Sequence, residues 1–353
     1  MKAILLAGGK GTRLRPLTIH TPKPVVPIFD RAFLHYQIDL LRQVPEIDEV
    51  ILSLNYQPRR IEEIFGDGAG TGVRLRYVVE PAPLGTGGAI RYAAQGITDT
   101  LVVFNGDVMT SVDVNAVVNL HRERKAKATI VLTPVDNPSA YGLVETEADG
   151  SVRRFLEKPS RPEEITCNTI NAGIYVLEPD TFERIPRDMS YSIERSYFPS
   201  LTERKETFVA YVEQGYWIDI GTPEKYIEVH RDMFDGHFSG GIFATADRSK
   251  PIISPEARIE DGVIFDGPSF VDAGAFVKAG AKIGPYTVLG RGVLIEESAD
   301  LRHTIIWPNS RIGQNAVVHG PIIGRSCHIG RNAVVKGQAV LGDKTMLTDY
   351  TTT

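Results

Sequence analysis

The chain has 353 residues, long for one compact core and comfortable for two domains. Its 42% hydrophobic and 24% charged content is that of an ordinary globular protein, and a net charge of −5 provides no basic field for nucleic acid. Two cysteines, Cys167 and Cys327, exclude a disulfide framework and suit a reducing compartment.

The first element is Lys2–Leu6, a short apolar strand that ends at Gly8-Gly9. Its apolar run is too short for a leader core or a membrane span, and no later stretch reaches the length of a span. A cytoplasmic protein with no membrane partner is expected. Further strands are predicted at Val50–Leu54, Leu75–Val79, Leu101–Phe104, Thr129–Thr133 and Gly173–Leu177. Between them lie helical patterns at Phe33–Gln43, Ala89–Gln95 and Val114–His121. Runs such as Leu101-Val102-Val103-Phe104 are apolar on both faces, as strands covered by helices on both sides must be. These alternations predict an α/β domain over residues 1–235, a Rossmann-like doubly wound mixed sheet. Residues 236–250 lack periodicity and are expected to form a linker or a capping connection.

From Ile253 the grammar changes. A fixed step of six picks out Ile253, Ile259, Phe265, Val271, Val277, Ile283, Leu289, Ile295 and Leu301. One five-residue step leads to Ile306, Ile312 and Val318, and a second to Ile323, Ile329 and Val335. A mostly small residue stands two places before these positions, among them Ser269, Ala275, Thr287, Ser310 and Cys327. The period is that of a hexapeptide repeat, in which a bulky aliphatic points into a triangular prism and a small residue lets the backbone turn. The pattern resembles the left-handed parallel β-helix, expected over 251–345 with a tail at 346–353. A final coil at Val335–Leu341 with no capping helix leaves an open edge, so a homo-oligomer, assembled through the β-helix, is expected.

Chemistry concentrates after the first strand, in Gly8-Gly9-Lys10-Gly11-Thr12-Arg13-Leu14-Arg15-Pro16-Leu17-Thr18 and Thr21-Pro22-Lys23-Pro24. Glycines let backbone amides approach an anion, and Arg13 and Lys23 bring full charges, so the segment suits a polyphosphate. It is not a Walker A loop, and the dinucleotide fingerprint fails because Leu14 stands where glycine or alanine is required. The segment resembles the GGxGTRLxPLTxxxPKP signature of the nucleoside-diphosphate-sugar pyrophosphorylases. That resemblance implies the reaction NTP + sugar 1-phosphate → NDP-sugar + pyrophosphate. It implies nucleotide contacts from Leu6, Gly8, Gly9, Gly11, Thr12 and Arg13, with Arg13 and Lys23 as the catalytic cations.

Such chemistry rests on positioning and charge neutralisation. Asp107 follows the apolar strand at its carboxyl end, and Asp219 lies in Trp217-Ile218-Asp219. The resemblance makes these two the ligands of Mg²⁺, which favours a few hard oxygens together with phosphate. It also assigns Lys158 to the sugar phosphate and Glu157 to sugar hydroxyls, with Gly142 (in Tyr141-Gly142) and Asn171 lining the sugar pocket. The resemblance also implies that the run Glu80-Pro81-Ala82-Pro83-Leu84-Gly85-Thr86 reads the base, with Glu80 facing its hydrogen-bonding edge and Gly85 and Thr86 among the nucleotide contacts. Glu80 only accepts hydrogen bonds, so it suits the adjacent N1–H and N2–H₂ donors of guanine and opposes a pyrimidine carbonyl. The run is similar to that of GDP-mannose pyrophosphorylases, which implies GTP and mannose 1-phosphate. The alternative is a dTTP- or UTP-dependent enzyme acting on glucose 1-phosphate.

Overall fold

The computed structural model describes Met1–Thr353 as two compact units. One comprises Met1–Lys10 and Leu34–Asp219, the other Gly11–Phe33 and Ile220–Thr353. The chain therefore crosses between units inside the glycine-rich loop, a division that the sequence boundary at 235 does not anticipate.

In the first unit, strands β1 (Lys2–Leu6), β2 (Glu49–Leu54), β3 (Arg74–Val79) and β4 (Leu101–Asn105) run parallel, with β1 between β4 and β2. The hairpin arm β5 (Val108–Thr110) follows β4 directly. Strands β6 (Ala128–Pro134), β7 (Gly142–Thr146), β8 (Val152–Glu157) and β9 (Thr169–Leu177) extend the sheet with antiparallel pairings, and β10 (Phe208–Val212) joins β6 in parallel. The last strand, β11 (Trp217–Asp219), leaves this sheet and pairs antiparallel with β5. The sheet is mixed, as expected.

Helices α1 (Leu34–Leu41), α2 (Pro58–Phe65), α3 (Gly85–Ala93), α4 (Val114–Glu123) and α5 (Phe198–Glu203) complete this unit. Helix α4 starts where Asp113 caps it by accepting from the Ala116 amide at 3.1 Å. Beneath the helices, Ile4, Ile51, Val103, Ile130, Tyr175 and Phe198 form part of one continuous buried core. Burial of Ala3–Leu5 in β1 and Leu101–Phe104 in β4 explains why these strands read as unbroken apolar runs rather than as alternation.

The second unit contains α6 (Pro223–Asp235) and a prism of three parallel sheets. Its strands recur once per coil: Ile252–Ile253 pairs with Ser269–Val271, then Thr287–Leu289, Ile305–Ile306, Ile322–Ile323 and Val340–Leu341. The three-sided parallel winding is the left-handed β-helix that the hexapeptide period predicts. Coils repeat every 18 residues, shortened to 17 where the two five-residue steps fall. Val277, Ile283, Leu289, Ile295, Ile312 and Ile329 fill the prism, and Ala275, Ala281, Ala299 and Ala333 are fully buried where the backbone turns. Corner residues including Ser298, Asn309, Asn315 and Asn332 adopt the left-handed backbone, which short polar side chains tolerate.

Two boundary expectations change. Residues 346–353 are not a tail: Met346–Leu347 pairs with His328–Ile329, and Thr352 bridges Val334. The repeat is weaker there because Leu347, the inward aliphatic of this turn, is only partly buried and the apolar Met346 beside it is exposed. Residues 236–250 are not a free linker either, since Phe243 is 1% exposed and packs with Phe29 and Phe234. No helix is long and apolar enough to cross a membrane.

Candidate active site

At the carboxyl end of β1, Leu6 pairs with Ser53 on one side and Asn105 on the other. The chain then leaves the sheet at Gly8, where a Cβ would press on Asn55 and on the Glu80 carboxylate at 3.3 Å. Glu80 leaves β3 and is 9% exposed. Its Oε1 accepts from Ser53 Oγ at 3.2 Å and its Oε2 from the Leu84 amide at 3.0 Å. These two donors fix the carboxylate beside Gly8 and leave each oxygen a second acceptor site. The predicted base reader and the first residues of the phosphate loop, Leu6, Gly8 and Gly9, thus share one rim of the sheet.

At the start of α3, Gly85 and Thr86 also meet a neighbouring segment of the chain. The Thr86 hydroxyl donates to Glu194 Oε2 at 2.7 Å and accepts from the Ile193 amide, while the Gly87 and Gly88 amides both donate to the Tyr191 carbonyl. The start of α3 is consequently occupied by the segment 191–194 within the protein.

Strand register sets the two predicted metal residues at neighbouring backbone positions. Asp219 stands opposite Val108 in the β5–β11 pair, so it lies beside Asp107. Gly106, just before Asp107, donates its amide to the Leu6 carbonyl at 3.0 Å, and a Cβ there would collide with that same carbonyl. Only glycine permits so close an approach to the end of β1. Tyr141 Oη donates to Asp219 Oδ1 at 3.0 Å, and Trp217 stacks edge-on against Tyr141 while its indole N–H bonds the Ala172 carbonyl. No third Asp, Glu, His or Cys joins the pair. Two carboxylates fit a Mg²⁺ ion that takes its other ligands from phosphate and water, and they do not make a closed protein cage.

A residue the sequence did not flag holds this turn. Gln37 of α1 is fully buried, and its Nε2 donates to the Asn105 carbonyl at 2.8 Å and the Val108 carbonyl at 2.9 Å. The two bonds bracket Asp107 from either side. A buried glutamine within an apolar helix face was the available signal, because such a group must find partners.

The sugar-binding candidates also converge. Gly142 and Glu157 are register partners, and a Cβ on Gly142 would meet Glu157 Oε2 at 2.8 Å. Burial, and then the neighbouring Glu194 carboxylate, hold the Glu157 carboxyl above its usual range. Lys158 takes a left-handed conformation that turns its side chain outward, 4.0 Å from Glu157 Oε1. Asn171 sits at a register break in β9, donating to Tyr175 Oη at 2.9 Å and accepting from the Gly173 amide at 2.9 Å. Glu194, which touches both Thr86 and the electrostatics of Glu157, lies on a single π-helical turn, Ile193–Tyr197, and carried no motif in the sequence. A cavity of about 430 Å³ beside α3, lined by Arg91, Tyr92, Phe182 and Arg187, contains none of these residues.

The basic half of the loop, from Gly11 on, belongs to the second unit. Gly11 has φ +59°, and its carbonyl accepts from Thr18 Oγ1 at 2.7 Å. Thr12 and Arg13 are exposed on a single 3₁₀ turn, while Lys23 is 8% exposed at the start of another.

The family model for nucleotidyl transferases matches residues 2–236, and the model for the GMPPB C-terminal domain matches 265–352. The chain belongs to the nucleotidyl transferase family. This nucleotidyltransferase is 37% identical, over 83% of its own length and 79% of the relative's, to a mannose-1-phosphate guanylyltransferase of Mycobacterium tuberculosis. It is 30% identical, over 90% and 85%, to a UTP–glucose-1-phosphate uridylyltransferase of Synechocystis. Among solved structures, HddC from Yersinia pseudotuberculosis complexed with GMP-PN superposes with a TM-score of 0.55 at 31% identity, covering 64% of this chain and 96% of that one.

Proposed function

We propose that this nucleotidyltransferase transfers GMP from GTP to mannose 1-phosphate, releasing pyrophosphate and forming GDP-mannose in the cytoplasm. The carrying observation is Glu80, an acceptor-only side chain fixed beside Gly8 by Ser53 and Leu84. The adjacent N1–H and N2–H₂ of guanine satisfy its open acceptor sites. Uracil or thymine would set a carbonyl against the carboxylate, which a buried site penalises strongly. The guanylyltransferase relative and the C-terminal domain match support the same nucleotide.

A phosphate oxygen of the sugar phosphate attacks the α-phosphorus of GTP, and the bond to the bridging β-phosphate oxygen breaks. Lys158 and Lys23 draw the sugar phosphate and the α-phosphate together against their mutual repulsion. Arg13 neutralises the charge that develops on departing pyrophosphate, a preorganised contribution of roughly 10²–10³ in rate for one such group. Glu157 accepts from sugar hydroxyls. Asp107 and Asp219 would hold Mg²⁺, whose charge would offset that of the reacting phosphates. A second copy of the chain would pack on the β-helix.

Pyrophosphate release measured for GTP, UTP, dTTP and ATP against mannose and glucose 1-phosphates tests the assignment. GTP with mannose 1-phosphate is expected to be the fastest pair, and Glu80→Gln is expected to raise the UTP-to-GTP ratio by about tenfold or more. If GTP is the poorest donor, the role of Glu80 is wrong.

A further inference from the structure

The segment Gly11–Phe33, which carries Arg13 and Lys23, belongs to the compact unit that contains the β-helix. Within that unit it is fastened at two places, one on each side of Lys23. On the near side, the hydroxyl of Thr21, 2% exposed, donates to Asp343 Oδ2 at 3.4 Å. The other oxygen of Asp343 accepts from the Arg325 amide at 2.8 Å, which ties the contact to the preceding coil. Next to Asp343, Gly342 abuts Pro16, so that a Cβ on Gly342 would lie 3.0 Å from Pro16 Cβ. On the far side, the Pro27 carbonyl accepts from Tyr226 Oη, and that oxygen receives the Trp307 indole N–H at 2.9 Å. Phe29 then enters a ring cluster with His230, Phe234, Phe243 and Phe270.

The stretch between these anchors has little freedom. Pro22, Pro24 and Pro27 fix three of its backbone angles, and Val25 and Val26 are buried. The turns after Arg13 are equally tight: the Leu17 amide bonds the Leu14 carbonyl, the Ile19 amide bonds the Pro16 carbonyl, and Leu14 and Leu17 are each 1% exposed. We propose that the closing coil of the β-helix, through Gly342 and Asp343, is a positioning element for the catalytic cations Arg13 and Lys23. The β-helix then contributes to the rate of nucleotidyl transfer in addition to any role in assembly. This rests on the assignment of Arg13 and Lys23 to the phosphates.

The test is a wedge series in the full-length chain: Gly342→Ala, Gly342→Val and Gly342→Leu, with Met346→Ala, an exposed change in the same coil, as the control. Turnover is expected to fall with side-chain size, by about tenfold to a hundredfold for leucine, since displacements near 1 Å cost that much in a preorganised site. Melting temperature stays at the wild-type value, and Met346→Ala turns over like wild type. The Lys23→Ala/Gly342→Leu double variant is expected to fall short of the product of the two single losses, because part of the Gly342→Leu loss acts through Lys23. Thr21→Val, which removes only the hydroxyl, gives a smaller loss of about threefold and keeps the test decisive if the leucine variant does not fold. Wild-type turnover in a folded Gly342→Leu protein and in Thr21→Val, or losses that multiply in the double variant, would overturn the positioning role. Wild-type turnover in Lys23→Ala and Arg13→Ala would instead remove the functional assignment on which it rests.

Discussion

In the β-helix every strand finds its partner one coil away, as Val288 finds Ile305 and Ile305 finds Ile322. In the catalytic unit, Asp219 reaches Val108 only after five strands of the main sheet have intervened. The first arrangement is quasi-one-dimensional, so its stability is a sum over neighbouring coils and its sequence shows its period openly. The second depends on contacts between segments far apart in the chain, and its chemistry sits where such segments meet. Regularity carries stability in one region, and irregularity carries reactivity in the other.

That contrast breaks if the carboxylate pair proves dispensable. Asp107→Ala and Asp219→Ala are each expected to lower turnover by roughly 10²–10³ or more while leaving the melting temperature within a few degrees, as followed by pyrophosphate release and thermal denaturation. Retained activity in both would remove the divalent-ion assignment. The mirror experiment is Ile312→Ala in the prism. It is expected to cost about 2–5 kcal/mol in urea denaturation. Turnover of the folded protein should stay near wild type, because Ile312 is buried in the prism and pairs with Ile295 and Ile329 of the adjoining coils.

Gln37→Met sharpens the comparison further. It preserves volume but leaves the Asn105 and Val108 carbonyls without their side-chain donor. The turn bearing Asp107 loosens, and turnover is expected to fall about tenfold with a raised Mg²⁺ requirement, measured by titrating the ion. A loss of stability with an unchanged Mg²⁺ requirement would make Gln37 structural only.

The smallest effect concerns pH. His230 is 2% exposed on α6, its Nδ1–H donates to the Tyr226 carbonyl at 2.8 Å, and its Nε2 is buried without a partner. Burial lowers its pKa to about 4. Since the unfolded chain binds a proton near the ordinary value of about 6.5, this residue's contribution is complete above that pH and is lost as pH falls towards 4. The slope is at most about 1.4 kcal/mol per pH unit, and His230→Phe should flatten it in denaturation curves recorded between those limits.

Much of this was legible in the sequence, for identifiable reasons. The step of six, its two interruptions and the buried small residues are local properties, so they were visible without coordinates. The parallel strands were visible because full burial writes itself as apolar runs. The phosphate loop and both aspartates carried motifs. By contrast, the assignment of Gly11–Phe33 to the β-helix unit depends on Asp343, Trp307 and Tyr226, each far along the chain. Gln37 and Glu194 act by holding other residues, so no spacing announced them. The last coil was mistaken for a tail because Met346 and Tyr350 are exposed there, which weakens the inside–outside pattern that marks every earlier turn.

The transfer itself is most directly tested by following the α-phosphorus. With GTP labelled at that position, mannose 1-phosphate and Mg²⁺, all transferred label should appear in a nucleotide sugar and none in pyrophosphate. Label remaining in GTP while UTP or dTTP is consumed with glucose 1-phosphate would contradict the account.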